Sequence, residues 1–475
     1  MFSKVLIANR GEIALRVLRT CQEMGIATVA VCSTEDRNSA VVEFADEVVQ
    51  IGPAPARRSY LHIPALTEAA LQTGADAVHP GYGFLSEDGD FAEVCESSGL
   101  VFVGPPSDVI RSLGNKSSAR ALMSAAGLPL LPGGVEPTQD AREAQRIADR
   151  IGYPVIIKAV AGGGGRGMSV VREHTDFART YQETSDTAQA LFGDGRVYVE
   201  RYLTHSRHVE IQIFADRYGN VVNLGARDCT VQRRHQKLVE ESPPPSLPSE
   251  LVDRMGEVAV AGARAAGYRG AGTFEFLVDD AANFYFMEVN CRIQVEHPVT
   301  ELVTGLDLVR EQLLVAAGEP LSLCQEDAVP RGVAIECRIN VEDPDRDFLP
   351  TPGRLVEFRP PGGPFVRVDT HGYAGYEMPA TYDSLLAKLV VWAPTRTEAL
   401  IRMDRALAEF RIRGPGVRTT ASFLREVIGH PLFRDAKHST DLVDRILRER
   451  NEATDKSPEI GVQRHRRSTS QQRAS

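Results

Sequence analysis

Lysine is scarce in this chain. Only seven of the 54 basic residues are lysine, and arginine fills nearly every other basic position. The bias itself is interpreted as genome composition. However, a compact ammonium and a planar guanidinium are not interchangeable on phosphate, so lysines inside motif-like stretches are candidate functional residues. Those lysines are Lys116, Lys158 and Lys237.

Other absences exclude whole classes of protein. The seven cysteines are scattered without a CxxC pair, which argues against a zinc site and indicates reduced thiols in the cytoplasm. No apolar run reaches about 18 residues, and the N-terminus lacks a signal-peptide layout, so no membrane span is expected. A net charge of −10 argues against nucleic acid or an anionic membrane as partner.

The order of predicted elements divides the 475 residues into three domains and a tail. In residues 1–113 the strands "KVLIAN", "ATVAVCS", "ADAVHPGYG" and "LVFVGPP" alternate with helices, which predicts a parallel, Rossmann-like sheet. Its first turn, "ANRGE", lacks the GxGxxG pattern of a dinucleotide site. Mixed α/β and α+β domains are predicted at 114–327 and 328–449, and the polar segment 450–475 is interpreted as a disordered tail.

A glycine-rich stretch, "KAVAGGGGRGMSVV", occupies residues 158–171. Glycines without side chains let backbone amides approach a phosphate closely. In a Walker loop the lysine follows the glycines, whereas Lys158 precedes them at the end of an apolar run. The stretch therefore indicates a phosphate loop of a different fold.

The stretch "GTFEFLVDDAANFYFMEVN" is predicted to be an antiparallel hairpin. A turn centred between Ala281 and Ala282 places Glu275 opposite Glu288, and like charges in that position are destabilising without a cation between them. Asn290 falls on the same face as Glu288. Two carboxylates and an amide oxygen suit Mg²⁺ or Mn²⁺, and the alternative is an exposed acidic face.

The same strand face is predicted to continue through Arg292, Gln294 and Glu296. An arginine beside a metal-bound phosphate can hold a small anion, and a neighbouring glutamate can accept a proton. The alternative is a run of surface charge, which fits poorly with the interleaved Ile293 and Val295.

With these residues assembled, the chain resembles the biotin carboxylases of the ATP-grasp superfamily over roughly residues 1–446. The resemblance implies an α/β domain preceding the ATP-grasp domain, a mobile glycine-rich lid at about 131–203, and a C-terminal biotin carboxylase domain. It rests on motifs in the family's order: "IANRGEIALR", "HPGYGFLSE", "IIKAVAGGGGRGM", "RDCTVQRRHQK", "RGAGTFEFL", "RIQVEHPVTE" and "ECRINVEDP".

The family's reaction implies a ligase that forms a C–N bond. Bicarbonate attacks the γ-phosphate of ATP to give carboxyphosphate, and CO₂ is then captured by N1′ of biotin on a carrier protein. Two Mg²⁺ or Mn²⁺ ions are implied, as are a biotin carboxyl carrier protein, a carboxyltransferase and a homodimer. This is the first half-reaction of an acetyl-CoA or acyl-CoA carboxylase, which is used in fatty acid biosynthesis.

The resemblance also implies residue roles. Glu296 matches the base that deprotonates bicarbonate, Arg338 faces the ureido oxygen of biotin, and Tyr82 and Gly83 belong to the biotin site. The bicarbonate site matches Lys237, Arg292, Val295 and Arg338, and the metal ligands match Glu275, Glu288 and Asn290. The ATP site matches Lys116, Lys158, Gly164, Gly165, Glu200, Arg201, Tyr202, Leu203, His208, Glu210, His235, Glu275 and Glu288.

We expect biotin not to be attached to this chain. Beyond residue 400 the only lysines are Lys437 and Lys456, and neither has the methionine neighbours typical of a biotinylated hairpin.

The alternatives to a biotin carboxylase are another ATP-grasp ligase, such as half of a carbamoyl-phosphate synthetase, and a nucleotide-binding regulatory relic. Half of a carbamoyl-phosphate synthetase is disfavoured by the third domain with its "ECRINVEDP". A non-catalytic relic is disfavoured because Glu275, Glu288, Arg292 and Glu296 are all present.

Overall fold

A computed structural model describes residues 1–134, 136–162 and 167–455. The first domain is a parallel five-stranded sheet with the order β3-β2-β1-β4-β5, as the alternation of strands and helices predicts. Its elements are β1 (Lys4–Ile7), α1 (Gly11–Glu23), β2 (Ala27–Ser33), α2 (Ala40–Phe44), β3 (Glu47–Gly52), α3 (Ile63–Thr73), β4 (Ala77–His79), α4 (Gly89–Ser97), β5 (Val101–Phe102) and α5 (Ser107–Gly114).

Alternation along β1 divides this domain into two cores. Leu6 packs in one core with residues of α3 and α4, while Val5 and Ile7 pack in the other with residues of α1. The sequence analysis missed β3, because its residues are mostly exposed at the sheet edge and lack an apolar run. The sheet therefore has five strands, one more than predicted.

The middle domain begins with α6 and contains the segment predicted as a lid. There β6 lies between β7 and β8 in an antiparallel three-stranded sheet. The elements are α6 (Lys116–Ala125), α7 (Ala141–Ile151), β6 (Val155–Ala159), β7 (Met168–Val171), α8 (Phe177–Phe192), β8 (Val197–Arg201), β9 (Ser206–Ala215), β10 (Val221–Arg233), β11 (Gln236–Ser242), α9 (Ser249–Ala265), β12 (Gly270–Asp279), β13 (Phe284–Asn290), α10 (His297–Thr304) and α11 (Leu308–Ala316).

The last part of the chain contributes strands to a sheet begun by the middle domain. Its elements are β14 (Val333–Asn340), β15 (Glu342–Asp343), β16 (Leu349–Pro350), β17 (Gly353–Arg354), β18 (Glu357–Arg359), β19 (Val366–Thr370), β20 (Glu377–Met378), β21 (Leu385–Ala393), α12 (Arg396–Glu409), β22 (Arg411–Arg413), α13 (Ala421–Gly429), α14 (Pro431–Arg434) and α15 (Leu442–Asp455). An antiparallel eight-stranded sheet runs in the order β13-β12-β9-β10-β11-β14-β21-β19.

The pairing of β11 with β14 joins the two domains across the predicted boundary at 327/328. The exact domain boundaries stay a prediction. Helix α15 continues to Asp455, so the segment interpreted as a disordered tail begins with helix, and the rest of that segment lies outside the described residues. Among the described residues, none of the helices combines the length and apolar character that crossing a membrane requires.

Candidate active site

Two of the three singled-out lysines meet at the start of the glycine-rich loop. Lys116, the first residue of α6, donates a hydrogen bond from Nζ to the carbonyl oxygen of Gly162. Lys158, on β6, pairs with Glu200 at 2.7 Å, and Arg120 contacts the same carboxylate. Burial opposes ionisation of Glu200, but the charges of Lys158 and Arg120 hold its pKa below the usual value. The two lysines thus bring positive charge to one end of the loop.

The predicted lid glycines Gly164 and Gly165 lie outside the described residues. The strands that flank the loop form a hairpin in which Lys158 is opposite Met168. The loop therefore starts and ends on paired strands, and the phosphate-binding candidate Lys158 is the last residue of β6 that pairs with β7.

The residues Glu200 to Leu203, which the family resemblance implies to be the hinge whose backbone binds adenine, start on β8 and continue beyond its end. The amide of Arg201 donates to the carbonyl of Pro132 at 2.8 Å, and the amide of Tyr202 donates to the carbonyl of Pro154 at 3.0 Å. Both amides are therefore engaged within the protein. Neither amide is free to donate to a nucleotide in this conformation.

His235 lies at the tip of the β10–β11 hairpin. The two turn residues, Arg234 and His235, have φ values of 49° and 67°, which is the left-handed pair of a tight two-residue hairpin turn. Burial and the charge of Lys158 lower the pKa of His235, so its ring is neutral at pH 7. A non-glycine pair in this conformation is typical of a functional turn.

The carboxylate hairpin forms with the predicted pairing. Glu275 on β12 is directly opposite Glu288 on β13, and a one-residue bulge follows between Glu275 and Phe276. Asn290 donates to Glu275 Oε1 at 2.9 Å. Glu288 is exposed, and both crowding in the cleft and the charge of Glu275 raise the pKa of its carboxyl group. A metal ion between the two carboxylates would relieve their mutual repulsion.

Further donors converge on Glu275 from β9. His208, Glu210 and Glu275 each offer a ligand atom, and these atoms lie within 4.8 Å of one another. His208 Nε2 lies 3.1 Å from Glu275 Oε2. Burial alone would lower the pKa of His208, but Glu275 outweighs it and raises the pKa. Carboxylate oxygens in this arrangement fit Mg²⁺ or Mn²⁺, and the histidine nitrogen favours Mn²⁺ of the two.

Lys237 is the third singled-out lysine, and it joins three carboxylates. Its Nζ donates to Glu210 at 2.6 Å, to Glu275 at 3.0 Å and to Glu296 at 2.6 Å. Burial would lower the pKa of this ammonium, but the three carboxylates raise it well above its ordinary value. Lys237 is therefore a permanent cation that links candidate nucleotide, metal and base residues.

Glu296, the candidate base, is held by cations on both oxygens. Lys237 donates to Oε1, and Arg338 donates to Oε2 at 2.9 Å. Arg338 also donates from Nε to Glu240 at 2.5 Å. Burial opposes ionisation of Glu296, but Lys237 and Arg338 lower its pKa well below the usual range. The carboxylate is therefore ionised and able to accept a proton.

The segment carrying Arg292 and Glu296 is not the predicted strand. Strand β13 ends at Asn290, and Glu296 is the residue that precedes α10. The prediction of one continuous strand face is wrong because α10 starts at the next residue, with Pro298 fixing its first turn. Arg292 is nevertheless well anchored, since it donates to the side chains of Asn290, Gln294 and Glu87.

A cleft of about 470 Å³ brings the candidate substrate residues together. Its walls come from all three predicted domains. Tyr82 and Gly83 of the predicted biotin site line it together with the bicarbonate candidates Arg292, Val295 and Arg338. The two sets of residues therefore face one shared volume, as transfer between their ligands requires.

The sequence analysis missed a buried layer of charge behind this cleft. Lys388 was the one accessible signal, because a lysine in the apolar run "SLLAKLVV" needs a buried partner. No pattern marked the others. The missed buried residues are Glu12, Arg227, Glu240, Glu336, Asp369 and Lys388. The exposed Glu87, which anchors Arg292, was also missed.

Family models match nearly the whole chain. "Biotin carboxylase, N-terminal domain" matches residues 1–110, "Carbamoyl-phosphate synthase L chain, ATP binding domain" matches 115–324, and "Biotin carboxylase C-terminal domain" matches 336–445. A biotin carboxylase from Nostoc sp. is 52% identical over 445 residues, which cover 94% of this chain and 99% of that relative. The chain belongs to the biotin carboxylase family.

Solved structures agree with this assignment. A biotin carboxylase–ATP complex from Campylobacter jejuni is 45% identical with a TM-score of 0.90, covering 94% of this chain and 99% of that one. The biotin carboxylase domain dimer of the 2-oxoglutarate carboxylase from Hydrogenobacter thermophilus, with MgADP, ADP and bicarbonate, is 45% identical with a TM-score of 0.89, covering 94% and 98%. The predicted ATP-dependent biotin carboxylation is thereby confirmed, and the C-terminal domain rules out the synthetase alternative.

Proposed function

We propose that this chain carboxylates biotin on a separate carrier protein, as the biotin carboxylase subunit of an acyl-CoA carboxylase. The observation that carries the proposal is the bonding of Lys237 and Arg338 to the two oxygens of Glu296. This arrangement places an ionised base between the nucleotide carboxylates and the substrate cleft, where bicarbonate would meet both ATP and biotin.

In the proposed first step, Glu296 accepts the proton of bicarbonate while a bicarbonate oxygen attacks the γ-phosphorus. A new P–O bond forms as the bond to ADP breaks, which gives carboxyphosphate. Lys237, Arg292 and the Val295 amide hold the bicarbonate anion, and Lys116 and Lys158 compensate phosphate charge. Glu275, Glu288 and Asn290 would hold the Mg²⁺ or Mn²⁺ ions, which supply positive charge to the transferring phosphate.

In the proposed second step, carboxyphosphate releases CO₂ and phosphate, the released phosphate accepts the proton of biotin N1′, and N1′ bonds to the carbon of CO₂. Arg338 stabilises the charge on the ureido oxygen, while Tyr82 and Gly83 hold the ring system. Carboxyphosphate would hydrolyse in water, so closure of the glycine-rich lid over the nucleotide is also needed.

A separate carrier is supported by the relative from Nostoc, of which this chain covers 99%. To test it, the purified chain is given ATP, Mg²⁺, ¹⁴C-bicarbonate and either free biotin or a biotinylated carrier protein. We expect label on both substrates, much faster on the carrier, and none without Mg²⁺. After co-expression with a biotin protein ligase, a streptavidin-positive band at 51.9 kDa would contradict the separate-carrier proposal.

The proposed partners are a biotin carboxyl carrier protein, a carboxyltransferase and a second copy of this chain, all in the cytoplasm. The dimer is supported by the Hydrogenobacter domain, which is described as a dimer. Sedimentation should give about twice the monomer mass. Adding co-purified transferase with acetyl-CoA or a 2-oxo acid tests the acceptor, and carboxylation of the 2-oxo acid alone would contradict an acyl-CoA carboxylase.

A further inference from the structure

Lys388 is a fully buried cation at the junction of the three domains. It lies on β21 with 0% of its surface exposed. Its Nζ is 3.0 Å from Glu12 Oε1 on α1 and donates to the carbonyl oxygen of Val295 at 2.9 Å. The carboxylate of Asp369 is 4.0 Å away. One ammonium therefore bonds to the N-terminal domain and to the segment that precedes α10.

The carboxylate of Glu12 also binds Tyr82, a residue of the predicted biotin site. The hydroxyl group of Tyr82 donates a hydrogen bond to Glu12 Oε1, the same oxygen that pairs with Lys388. Lys388 Nζ lies 5.7 Å from the centroid of the Tyr82 ring, within range of a cation–π contact. In the β14–β21 pairing, Lys388 is directly opposite Arg338. The Lys388–Glu12 pair thus contacts Tyr82 on the biotin side of the cleft and Val295 on the bicarbonate side, and it lies next to Arg338.

The contact with Val295 also bears on the base. A peptide group is planar, so the carbonyl of Val295 and the amide of Glu296 rotate as one unit. The hydrogen bond from Lys388 to that carbonyl therefore fixes the orientation of the peptide group between Val295 and Glu296. If the ammonium were lost, the carbonyl would have no donor from β21, and the peptide plane would be free to turn.

Packing alone does not account for this pair. Buried ion pairs are frequently no better for stability than apolar residues of similar volume, and their best-attested use is to specify one geometry. The strand around Lys388 is otherwise apolar, with Leu386, Leu389 and Val390 fully buried. A leucine or methionine would complete that core, whereas only a cation can meet both Glu12 and the Val295 carbonyl.

We propose that the Lys388–Glu12 pair is a positioning element that sets the bicarbonate-side backbone at Val295 and the biotin-side ring of Tyr82 relative to each other. The inference rests on the proposed roles of those two residues. Neither Lys388 nor Glu12 touches a reacting atom in this account. Their function is to make CO₂ capture efficient, so that ATP cleavage yields carboxybiotin rather than free CO₂.

The test uses the full chain with the double variant Glu12→Gln/Lys388→Met, which removes both charges at nearly constant volume. Single Lys388→Met leaves Glu12 buried without its cation and serves as a second variant. Lys437→Met is the matched control, because Lys437 is exposed and its ammonium lies 3.7 Å from the exposed Asp435. Measured quantities are ATP affinity, the KM values for bicarbonate and biotin, and ATP cleaved per biotin carboxylated.

We expect the double variant to keep ATP affinity within about twofold, to raise the KM for biotin and for bicarbonate together by about tenfold, and to cleave several ATP per carboxybiotin formed. Wild-type stoichiometry in a folded double variant would overturn the proposal. Equal loss of ATP affinity and all rates would assign the pair a merely structural role, which also overturns it. A wild-type chain without biotin-dependent activity would instead refute the proposed function.

Discussion

The two large sheets handle charge in opposite ways. Most buried strand positions of the N-terminal sheet are aliphatic, as at Val5, Leu6 and Val29, and none of these described positions is a carboxylate. The eight-stranded sheet instead places acids opposite each other, with the buried Glu210 directly opposite the buried Glu275 and Glu275 opposite the exposed Glu288. Like charges in direct register destabilise a sheet. The comparison teaches that the second sheet gives up stability in order to assemble an active site, and that cations such as Lys237 hold it together.

The largest expected effect comes from removing the base of the charged sheet. Glu296→Gln should lower bicarbonate-dependent ATP cleavage and biotin carboxylation by about 10²–10⁴-fold, because the amide cannot accept the proton. Nucleotide affinity should change little, as measured by titration with a fluorescent ATP analogue. Near-normal carboxylation by this variant would show that Glu296 is not the base.

The second prediction separates the two half-steps. Arg338→Ala should reduce biotin carboxylation by about 100-fold and bicarbonate-dependent ATP cleavage by only about 10-fold, since its proposed partner is the ureido oxygen. Both rates are measured on the same preparation. Equal losses would mean that Arg338 acts mainly on bicarbonate or on Glu296, to which it donates in this structure.

The third prediction uses pH to measure the cost of charge in the second sheet. Burial raises the pKa of Glu240 to about 7, against the lowering effect of Arg338. The folded-state pKa exceeds the unfolded value, so this group's stabilising contribution is full below about pH 4.5 and is lost as pH rises through about 7. Charged or titratable neighbours are Arg338, Glu296, Lys237 and Glu336.

The substitution Glu240→Gln should remove the loss of stability that accompanies ionisation of Glu240, because an amide does not titrate. The Tm of the variant minus the Tm of wild type should therefore be higher at pH 8 than at pH 5. In free energy of unfolding, the difference corresponds to up to about 3 kcal/mol. Thermal unfolding of both proteins at the two pH values checks the difference. A Tm difference that is independent of pH would show that Glu240 is ionised in the folded protein throughout.

The smallest effect on activity is expected from the aliphatic sheet. Leu6→Ala should cost about 2–5 kcal/mol of stability by leaving a cavity between β1 and the helices α3 and α4. KM values at 20 °C should stay within about twofold, because Leu6 is remote from charge. A change in the KM for ATP or biotin would show that the two sheets are more tightly coupled than their cores suggest.

The carboxylate hairpin shows how far sequence reasoning reached. The prediction that Glu275 faces Glu288 assumed a turn centred between Ala281 and Ala282. In the structure, the strand residues nearer the turn are paired symmetrically around Ala281 instead. A bulge between Glu275 and Phe276 restores the predicted pairing. Alternation of residue types predicts which strands pair, but a one-residue insertion in a ladder leaves no signal of its own.

Long-range contacts were harder to predict than motifs. Glu87 anchors Arg292 across 205 residues of sequence, and Lys388 reaches Val295 across 93. Such pairs depend on how three domains pack, and periodicity within one segment carries no information about that. The pairing of Glu275 with Glu288 could be predicted because both residues lie on neighbouring strands of one hairpin, where the local pattern also sets the geometry.

The joining of β11 to β14 has a consequence for synthesis on the ribosome. Strand β11 ends at Ser242 and lies between β10 and β14 in the sheet. Strand β14 begins only at Val333, and β21, which covers β14, ends at Ala393. At roughly 5–20 residues per second, the edge carrying Lys237 waits on the order of 10 s for its cover. An open strand edge is a template for association with other chains. During synthesis the strand that carries Lys237 is therefore an open edge until β14 has emerged.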